Sequence, residues 1–361
     1  MNVVIIVGGL PFGGIENLLF EIAKECQHRK NIDLTIINIS GTGEKIQEFL
    51  DNDLKVINLY NDKRCLKVFK LSTMLKLRSL LKKLKPDIVH TMQFSGDYFG
   101  RLASIGLKHN IVTHIQSVRI EKKFHRRILN KILSFKTTCF ISVSKSVYDV
   151  VEQYHNFFSK KHIVLYNAIN LEKFQYRERK IANENNINLL AVGRLVSLKN
   201  FHLLIKSVAK LSNKFKKISL TIVGDGKEKV NLMKLINELK IEDKVKITGY
   251  KKNVIPYYND AHIFIMPSEY EGFGIAHIEA IATGLPSIIS KNVPSKEIAE
   301  SCSLICDTTV DSIYECIEKL LTDKNLYETL SKNTEKIRHL FDIKLYVDKL
   351  LEIYNELLIK K

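Results

Sequence analysis

Short runs of β-branched residues alternate with longer segments of helical periodicity, and this alternation constrains the fold more than any other feature. NVVIIV at residues 2–7 predicts a buried strand, and IENLLFEIAKECQHR at 15–29, with apolar residues at i, i+3 and i+4, predicts a helix. Strands that alternate with helices form parallel sheets whose faces the helices cover. The sequence therefore predicts an α/β fold.

The alternation runs through the chain twice, on either side of a polar segment at residues 170–186. The first run predicts further strands at 34–39, 87–91, 110–115, 139–144 and 163–169 and a helix at 71–86. The second run predicts strands at 187–193, 219–224, 244–249, 261–268 and 286–290 and helices at 199–213, 228–239 and 275–283. Because 361 residues are enough for two domains, we expect two Rossmann-like, doubly wound domains that face each other across a cleft. In such sheets, ligands bind at the carboxyl ends of the strands.

The chain carries a formal net charge of +17, of which +12 falls in residues 1–170 and +5 in residues 171–361. Such a charge attracts nucleic acid, anionic lipid or phosphorylated substrates, and solubility is an equally good explanation for it. No apolar run approaches the roughly 20 residues that span a bilayer, and the apolar run at residues 3–7 lacks the basic segment and the cleavage site of a signal peptide. The six cysteines show no paired metal-ligand spacing, so a cytoplasmic protein with reduced thiols is expected.

A glycine-rich turn follows the first predicted strand, in VGGLPFGGIE at residues 7–16. Its glycines Gly8, Gly9, Gly13 and Gly14 let backbone N–H groups approach a ligand, and the start of the next helix favours an anion. The spacing matches neither the P-loop motif G-x-x-x-x-G-K-[ST] nor the dinucleotide motif G-x-G-x-x-G. The turn is therefore either an anion site or a flexible connection between strand and helix.

Two cations lie just beyond the strand predicted at 187–193. Arg194 is in the loop at the carboxyl end of this strand, and Lys199 follows at the start of the next predicted helix. An arginine offers a planar fork and a lysine a mobile point charge, so the two together could clamp a diphosphate. A solvated loop that carries ordinary charges is the alternative.

The segment PSEYEGFGIAHIEAIATGLP at residues 267–286 places two glutamates around a glycine turn. Glu271 precedes Gly272 and Gly274 in the turn, and Glu279 lies about one turn into the helix that follows. N–H groups at the start of a helix attract anions such as phosphate. A carboxylate beside them would repel a phosphate. Carboxylates accept strong hydrogen bonds from hydroxyls, so Glu271 is expected to face a sugar. Surface glutamates near a bend are the alternative.

This segment resembles the E-x7-E signature of retaining glycosyltransferases of the GT-B fold, specifically of glycosyltransferase family 4. Further segments resemble the family in the same order over nearly the whole chain: GGIE (13–16), PDIVHT (86–91), VSKSV (143–147), YNAINLEKF (166–174), GRLVSLKN (193–200), IVGDGKE (222–228), VKITGY (245–250) and LFDIKLYVDKLLEIY (340–354). The resemblance implies an acceptor-binding domain of residues 1–170, joined by a C-terminal helix at 340–361. It implies a nucleotide-sugar-binding domain of residues 171–339.

The resemblance also implies a nucleotide diphosphate sugar, expected to be a UDP-sugar, as the donor. Arg194 and Lys199 would bind its diphosphate, and Glu279 its ribose. Glu271 would hold the sugar hydroxyls with the help of backbone N–H groups. The other donor-binding residues that the resemblance implies are Phe273, Gly274 and Ile275 at the diphosphate and sugar, Gly249 and Tyr250 near the base, and Gly13 and Gly14 from the other domain.

Many members of the family have a histidine at a strand end of the first domain. In IVTHIQSVR at residues 111–119 this position falls on His114, and a shift of two places puts it on Gln116. His90 in DIVHT is a weaker candidate. A histidine that only faces the core of the first domain is the alternative for His114.

The reaction that the resemblance implies is hexosyl transfer with retention, with Arg194, Lys199, Glu271 and His114 as the catalytic set. We expect attack on the face that the diphosphate leaves, with catalysis by positioning and by stabilisation of the leaving charge. No metal or other cofactor is expected, since the D-x-D at residues 51–53 lacks the context of a metal site. The alternatives are a nucleotide-sugar epimerase of the same fold and a non-catalytic, polyanion-binding partner subunit.

The expected acceptor is a glycan or a lipid-diphosphate-linked glycan, in the synthesis of a surface polysaccharide or glycolipid. The basic segments KKFHRR (122–127) and 67–85 would rest on an anionic membrane surface or meet the lipid diphosphate. A solvated helix face explains them nearly as well. The sequence has no nucleic-acid module, so no nucleic-acid partner is expected. The expected location is the cytoplasm, in part at the inner face of the cell membrane.

Overall fold

The computed structural model describes residues 1–67, 70–117, 124–154, 158, 161–180 and 187–359, with the backbone alone of His125. The chain divides into two compact units. The N-terminal unit combines Met1–Asn167 with Ile343–Lys361, and the C-terminal unit is Ala168–Asp342. The predicted boundaries were residue 170 and residue 340, so each differs from the structural boundary by a few residues.

In the N-terminal unit, seven parallel strands from the described residues form one sheet in the order β3-β2-β1-β4-β5-β6-β7. The strands are β1 (Asn2–Val7), β2 (Asp33–Asn38), β3 (Val56–Asn58), β4 (Ile88–Met92), β5 (Asn110–Ile115), β6 (Cys139–Ser142) and β7 (His162–Val164). The helices between them are α1 (Gly14–Gln27), α2 (Ile46–Leu50), α3 (Leu71–Leu84), α4 (Gln93–Ala103), α5 (Phe124–Leu133) and α6 (Lys145–Tyr154). The strand order reverses between β1 and β4.

In the C-terminal unit, six parallel strands of the described part form a second sheet in the order β10-β9-β8-β11-β12-β13. The strands are β8 (Ile187–Val192), β9 (Ile218–Val223), β10 (Val245–Ile247), β11 (Ile263–Met266), β12 (Ser287–Ser290) and β13 (Ser303–Cys306). The helices are α7 (Phe201–Leu211), α8 (Lys229–Glu238), α9 (Ile255–Asp260), α10 (Ile275–Ala282), α11 (Lys296–Ala299), α12 (Val310–Thr322) and α13 (Lys324–Ile337). Here the order reverses between β8 and β11. The prediction of two Rossmann-like domains with parallel sheets is confirmed.

The last helix, α14 (Ile343–Ile359), belongs to the N-terminal unit. It packs against α1, and Arg29, two residues beyond the end of α1, forms an ion pair with Asp348. The backbone oxygen of Leu357 accepts a hydrogen bond from the Asn110 side chain at 2.7 Å. Helix α14 is therefore built into the N-terminal unit. Among the described residues, no helix has the length and apolar character that crossing a bilayer requires.

Helix α4 has no counterpart among the elements predicted from the sequence. It contains Gly96 and Gly100, which lower intrinsic helix propensity. A Cβ at Gly96 would lie 2.4 Å from the backbone oxygen of Ile6, and one at Gly100 would lie 2.6 Å from Thr91 Cγ2. The glycines therefore let α4 lie directly on the central strands, and this packing outweighs their low propensity.

The polar segment at 170–186 is only partly a linker. Residues 181–186 lie outside the described residues, but the guanidinium of Arg179 is fixed to the C-terminal unit. It donates to the backbone oxygens of Tyr258, Asn259, Ala261 and Thr283, over distances of 2.6 to 3.3 Å. Charge in a sequence suggests solvent exposure, but here carbonyl groups replace the solvent.

The strand predicted at 163–169 is shorter than expected, since β7 ends at Val164. Asn167 and Ala168 are buried but lie outside the regular strand. Ile169 instead forms an isolated bridge to Asp342. The apolar pattern therefore marks burial beyond Val164, not continued strand pairing.

Candidate active site

The cation and the carboxylate singled out in the C-terminal unit meet where its strand order reverses. Lys199 ends a short 3₁₀ helix, Ser197–Lys199, after β8, and Glu271 lies in the loop after β11. Lys199 Nζ forms an ion pair with Glu271 Oε1, and the two side chains are 18% and 14% exposed. Ligands of open α/β sheets bind at such a reversal point.

Hydrogen bonds hold the two loops of this ion pair together. Ser268 Oγ also donates to Glu271 Oε1, at 2.9 Å. The Asn200 side chain donates to the backbone oxygen of Pro267 at 3.2 Å, and Glu269 N donates to Leu198 O at 2.7 Å. Contacts from the loops after β8 and β11 therefore fix the position of Glu271.

Helix α10 begins at a backbone conformation that only glycine adopts readily. Gly274 precedes its first residue, Ile275, and has φ of 115°. A Cβ at this position would lie 2.9 Å from both Ser295 Oγ and Val293 Cγ1. Phe273 is buried. The predicted glycine turn is therefore present, with the first N–H groups of α10 next to the Glu271 loop.

Glu279 lies in the fifth position of α10 and is buried. Tyr258 of α9 donates from its hydroxyl to Glu279 Oε2 at 2.7 Å. Burial raises the pKa of the Glu279 carboxyl to about 7, and the tyrosine bond only partly offsets that rise. Glu279 is therefore a carboxyl group that titrates near neutrality, whereas Glu271 is an ion-paired one.

Two further glycine turns lie at the carboxyl edge of the same sheet. Gly224 follows β9 and pairs with Gly249, which follows β10 and has φ of 74°. Gly226 could not carry a Cβ, because it would lie 2.4 Å from the backbone oxygen of Leu195. Tyr250 is 45% exposed. Arg194, which lies between Gly193 and Leu195 in the loop after β8, is exposed. The turns after β8, β9 and β10 are therefore adjacent.

In the N-terminal unit the glycine turn after β1 is held by Gln93, the first residue of α4. Its side-chain oxygen accepts from Gly8 N at 3.0 Å and from Gly9 N at 3.3 Å. Its amide nitrogen donates to Gly9 O at 3.1 Å and to Glu16 Oε1 at 2.6 Å. Gln93 has φ of 64°, which is strained for a non-glycine residue. The turn is thus clamped where the strand order reverses.

The two remaining candidate glycines of this turn lie at the start of α1. Gly13 is the residue before the helix and Gly14 is its first residue. A Cβ on Gly13 would lie 2.3 Å from Glu16 Oε2. Glu16 therefore occupies the space beside the first N–H groups of α1, where an anion would otherwise be attracted.

His114 lies within β5 and has no exposed surface. It belongs to a buried chain of polar side chains. His114 Nδ1 is 3.2 Å from His90 Nε2, and His90 Nδ1 bonds the hydroxyl of Tyr354 in α14. On the other side, His114 Nε2 is 2.9 Å from Gln116 Nε2, and Asn167 Nδ2 donates to Gln116 Oε1 at 3.2 Å. Gln116, not His114, follows the end of the strand.

Burial keeps both histidines of this chain neutral. It lowers the pKa of His90 to about 3 and the pKa of His114 well below its ordinary value. The neighbouring His90 lowers the pKa of His114 further. Neither ring is therefore suited to carry a positive charge. An uncharged imidazole still donates one hydrogen bond and accepts another.

Sequence reasoning did not identify several residues that support these groups. They are Tyr258, Ser268, Gly224 and Gly226 in the C-terminal unit, and Gln93, Asn167 and Tyr354 in the N-terminal unit. For Gln93 the sequence held a usable signal, because this polar residue directly follows a buried strand. Arg194 was identified from a similar position, two residues after β8. Within the described ranges, no group of three or more His, Cys, Asp or Glu side chains is placed to hold a metal ion.

We predict that the Lys199–Glu271 pair is energetically coupled. Because both side chains are mostly buried, Lys199→Met or Glu271→Gln alone leaves a charge without its ionic partner, while the double variant removes both charges. A double-mutant cycle on the free energy of unfolding in urea should give a coupling of about 1–2 kcal/mol.

The exposed pair Lys210–Asp311, with side chains 52% and 74% exposed, is the control. Its coupling should stay below about 0.5 kcal/mol. Equal couplings for the two pairs would show that the Lys199–Glu271 contact is an ordinary surface pair.

Two family models match the chain, and together they span residues 12–337. Residues 12–173 match Glycosyltransferase Family 4, and residues 172–337 match Glycosyl transferases group 1. The division between the two matches falls close to the boundary of the structural units.

Two curated relatives match over most of their length. The capsular polysaccharide biosynthesis glycosyltransferase CapM of Staphylococcus aureus is 26% identical over 360 residues, 92% of each chain. UDP-Gal:alpha-D-GlcNAc-diphosphoundecaprenol alpha-1,3-galactosyltransferase of Escherichia coli is 26% identical and covers 88% of this chain and 87% of its own.

Among solved structures, Anabaena HepE in complex with UDP and glucose matches 99% of this chain and 100% of its own, with a TM-score of 0.86 at 17% identity. That likeness concerns the fold, and the family models concern the sequence. The likeness in fold agrees with the two parallel sheets of the structural units. The chain belongs to the group 1, family 4 glycosyltransferases, and it is a glycosyltransferase enzyme.

Proposed function

We propose that this glycosyltransferase moves a hexose, with retention, from a UDP-sugar to a glycan or lipid-diphosphate-linked acceptor. The observation that carries the proposal is the Lys199–Glu271 pair at the reversal point of the second sheet. The names of relatives that make capsule or extend a diphosphoundecaprenol acceptor support the acceptor class. The product would be a surface polysaccharide or glycolipid.

In this proposal the diphosphate competes with Glu271 for the charge of Lys199. Arg194, which is exposed in the same connection between β8 and α7 as Lys199, supplies a second cation and a planar fork. Once Lys199 turns to the phosphate, the Glu271 carboxylate accepts hydrogen bonds from sugar hydroxyls. The ion pair thus holds both groups in place before the donor arrives, which lowers the cost of ordering them.

The transfer step needs little covalent chemistry from the protein. The acceptor hydroxyl attacks the anomeric carbon on the face that the diphosphate leaves. The bond from that carbon to the diphosphate oxygen breaks, and a diphosphate oxygen takes the proton of the acceptor. Arg194, Lys199 and the N–H groups at Phe273, Gly274 and Ile275 stabilise the charge on the leaving group. Gly13 and Gly14 would approach the donor from the N-terminal unit, and Gly249 and Tyr250 would lie near the base.

The proposal predicts selective binding and transfer of one donor class. A thermal-shift panel of UDP-, GDP- and ADP-hexoses should show stabilisation by UDP-hexoses, by mass action. Lys199→Ala and Glu271→Ala should lower kcat/KM for transfer about a hundredfold or more, as the loss of charge stabilisation does elsewhere. Lys210→Ala, a change in an exposed ion pair, is the control. Epimerised free donor without transfer would overturn the proposal.

The proposed ribose contact of Glu279 predicts a pH dependence. Its raised pKa of about 7 means that the carboxyl loses its proton as pH rises through neutrality. Because the carboxylate accepts ribose hydrogen bonds better than the acid, affinity should rise from pH 6 to pH 8. The probe is UDP-glucose, whose diphosphate does not titrate in this range, and the readout is calorimetry. Glu279→Gln should flatten the profile, and an unchanged slope in that variant would contradict the ribose role.

An anionic membrane surface is the proposed docking partner of the N-terminal unit. Helix α5 and the turn after it expose four large apolar side chains on one face, which we name the α5 stripe. They are Phe124 at 72%, Ile128 at 44%, Ile132 at 56% and Phe135 at 50% exposure. Exposed Lys131 lies on the same face. Of the basic segments named earlier, 122–123 and 68–69 lie outside the described residues.

Vesicle binding tests this surface. Phe124→Ser with Ile132→Ser should lower binding to vesicles of phosphatidylglycerol and phosphatidylcholine at least tenfold, because apolar area and anionic charge act together. The matched control is Val230→Ser with Met233→Ser on α8, which removes side chains exposed to 76% and 51%. Equal loss in both double variants, or equal binding to phosphatidylcholine alone, would refute the docking surface.

A further inference from the structure

We infer that the side-chain oxygen of Asn167 accepts a hydrogen bond from a sugar hydroxyl, and that Tyr354 positions Asn167 through a chain of four buried hydrogen bonds. The chain runs Tyr354–His90–His114–Gln116–Asn167 within the described part of the N-terminal unit. The inference deepens the proposed function and rests on it for the statement that the ligand is a sugar.

The direction of the chain follows from its amide groups. Asn167 Nδ2 donates to Gln116 Oε1 at 3.2 Å, so the Gln116 nitrogen faces the other way, 2.9 Å from His114 Nε2. An amide nitrogen can only donate. His114 Nε2 is therefore an acceptor, and the single proton of the neutral ring lies on Nδ1.

The same reasoning continues through the second histidine. His114 Nδ1–H points at His90 Nε2, 3.2 Å away, which must accept. The proton of His90 then lies on Nδ1 and is donated to the hydroxyl of Tyr354. All four bonds thus point from Asn167 towards Tyr354. Because both rings are neutral, with the pKa of His90 at about 3, the two must carry their protons on the same type of nitrogen.

The chain leaves one acceptor open at its start. Asn167 Oδ1 is buried and has no hydrogen-bond partner among the described residues. Such a buried group is rare and calls for a partner. Gln116 lies just past β5 and Asn167 past β7, at the edge of the sheet where ligands bind.

The open acceptor discriminates between the parts of a nucleotide sugar. Diphosphate oxygens are acceptors themselves and would be repelled by Asn167 Oδ1. A sugar hydroxyl, or the N–H of an acetamido sugar, can donate to it. The donor and the acceptor glycan both carry such groups, and the experiment below distinguishes them.

Tyr354 matters because it terminates the chain at the far end. In Tyr354→Phe, the Nδ1–H of His90 would point at a hydrocarbon edge. Moving that proton to Nε2 relieves the conflict, but it forces His114 and both amides to reverse. Asn167 would then present its NH₂ group, a donor, in place of its oxygen.

Imidazole tautomers test the chain without any substrate. In the full-length protein with ¹⁵N-labelled histidine, long-range ¹H–¹⁵N spectra should show His90 and His114 both protonated on Nδ1. Tyr354→Phe should shift both to Nε2. The matched control is Tyr346→Phe on the same helix, since the buried Tyr346 hydroxyl has no hydrogen-bond partner in the described part of the chain. It should leave both tautomers unchanged.

Steady-state kinetics test the sugar contact, with the donor that the UDP-, GDP- and ADP-hexose panel finds active. Tyr354→Phe and Asn167→Ala should each raise one KM about three- to tenfold, the loss of one hydrogen bond, with kcat nearly unchanged. A rise in the KM of the donor, or of the acceptor, identifies the sugar. Tyr346→Phe should change neither.

Different results overturn different parts. If the wild-type His90 and His114 carry their protons on different nitrogens, or both on Nε2, the proposed direction of the hydrogen-bond chain is wrong. Unchanged KM values in both variants overturn the sugar contact and leave a buried water as the partner of Asn167 Oδ1. If the wild-type protein transfers no hexose, the proposed function fails with the sugar contact, and the tautomers still decide the role of Tyr354.

Discussion

Each half of this protein depends on the point at which its parallel strands reverse their order. In the first sheet, β2 and β3 lie on one side of β1 and β4 lies on the other. In the second sheet, β9 and β10 lie on one side of β8 and β11 lies on the other. The loops that leave these neighbouring strands therefore diverge and leave an opening at the carboxyl edge. In the first unit Gln93 clamps the glycine turn there. In the second, Lys199 meets Glu271 there. The contact of Gln93 with the glycine turn and the contact of Lys199 with Glu271 therefore lie at topologically equivalent places in the two sheets.

Much of the fold was predictable because burial on both faces leaves a strong signal. Strand β1 is apolar from Val3 to Val7, β5 is buried along its whole length, and the predicted limits of both strands coincide with those in the structure. Helix α4 was missed because its glycines serve close packing, which local propensity does not record. The fixed position of the Arg179 side chain was missed because nothing local shows that backbone carbonyl groups will accept the hydrogen bonds of this charge.

The candidate site was predictable at the residues that belong to motifs, and not at those that support them. Glu271 and Glu279 stand out by their spacing around glycine. Tyr258, which bonds Glu279, is 21 residues away and comes from another helix. Tyr354 is 264 residues away from His90. Such partners are set by tertiary packing, so a single sequence does not reveal them. The neutral state of the histidines likewise comes from burial and has no signature in the chain.

The position of α14 has a consequence for how the protein is made. The N-terminal unit holds Met1–Asn167 but also needs Ile343–Ile359, which the ribosome produces only after the C-terminal unit. Until then, His90 lacks the hydroxyl of Tyr354, and the Asn110 side chain lacks the carbonyl of Leu357. The N-terminal unit, most of which is synthesised before the C-terminal unit, is therefore completed after it, through contacts of very long sequence separation, which form slowly. A chain that stops early would carry an intact C-terminal unit beside an unfinished N-terminal one.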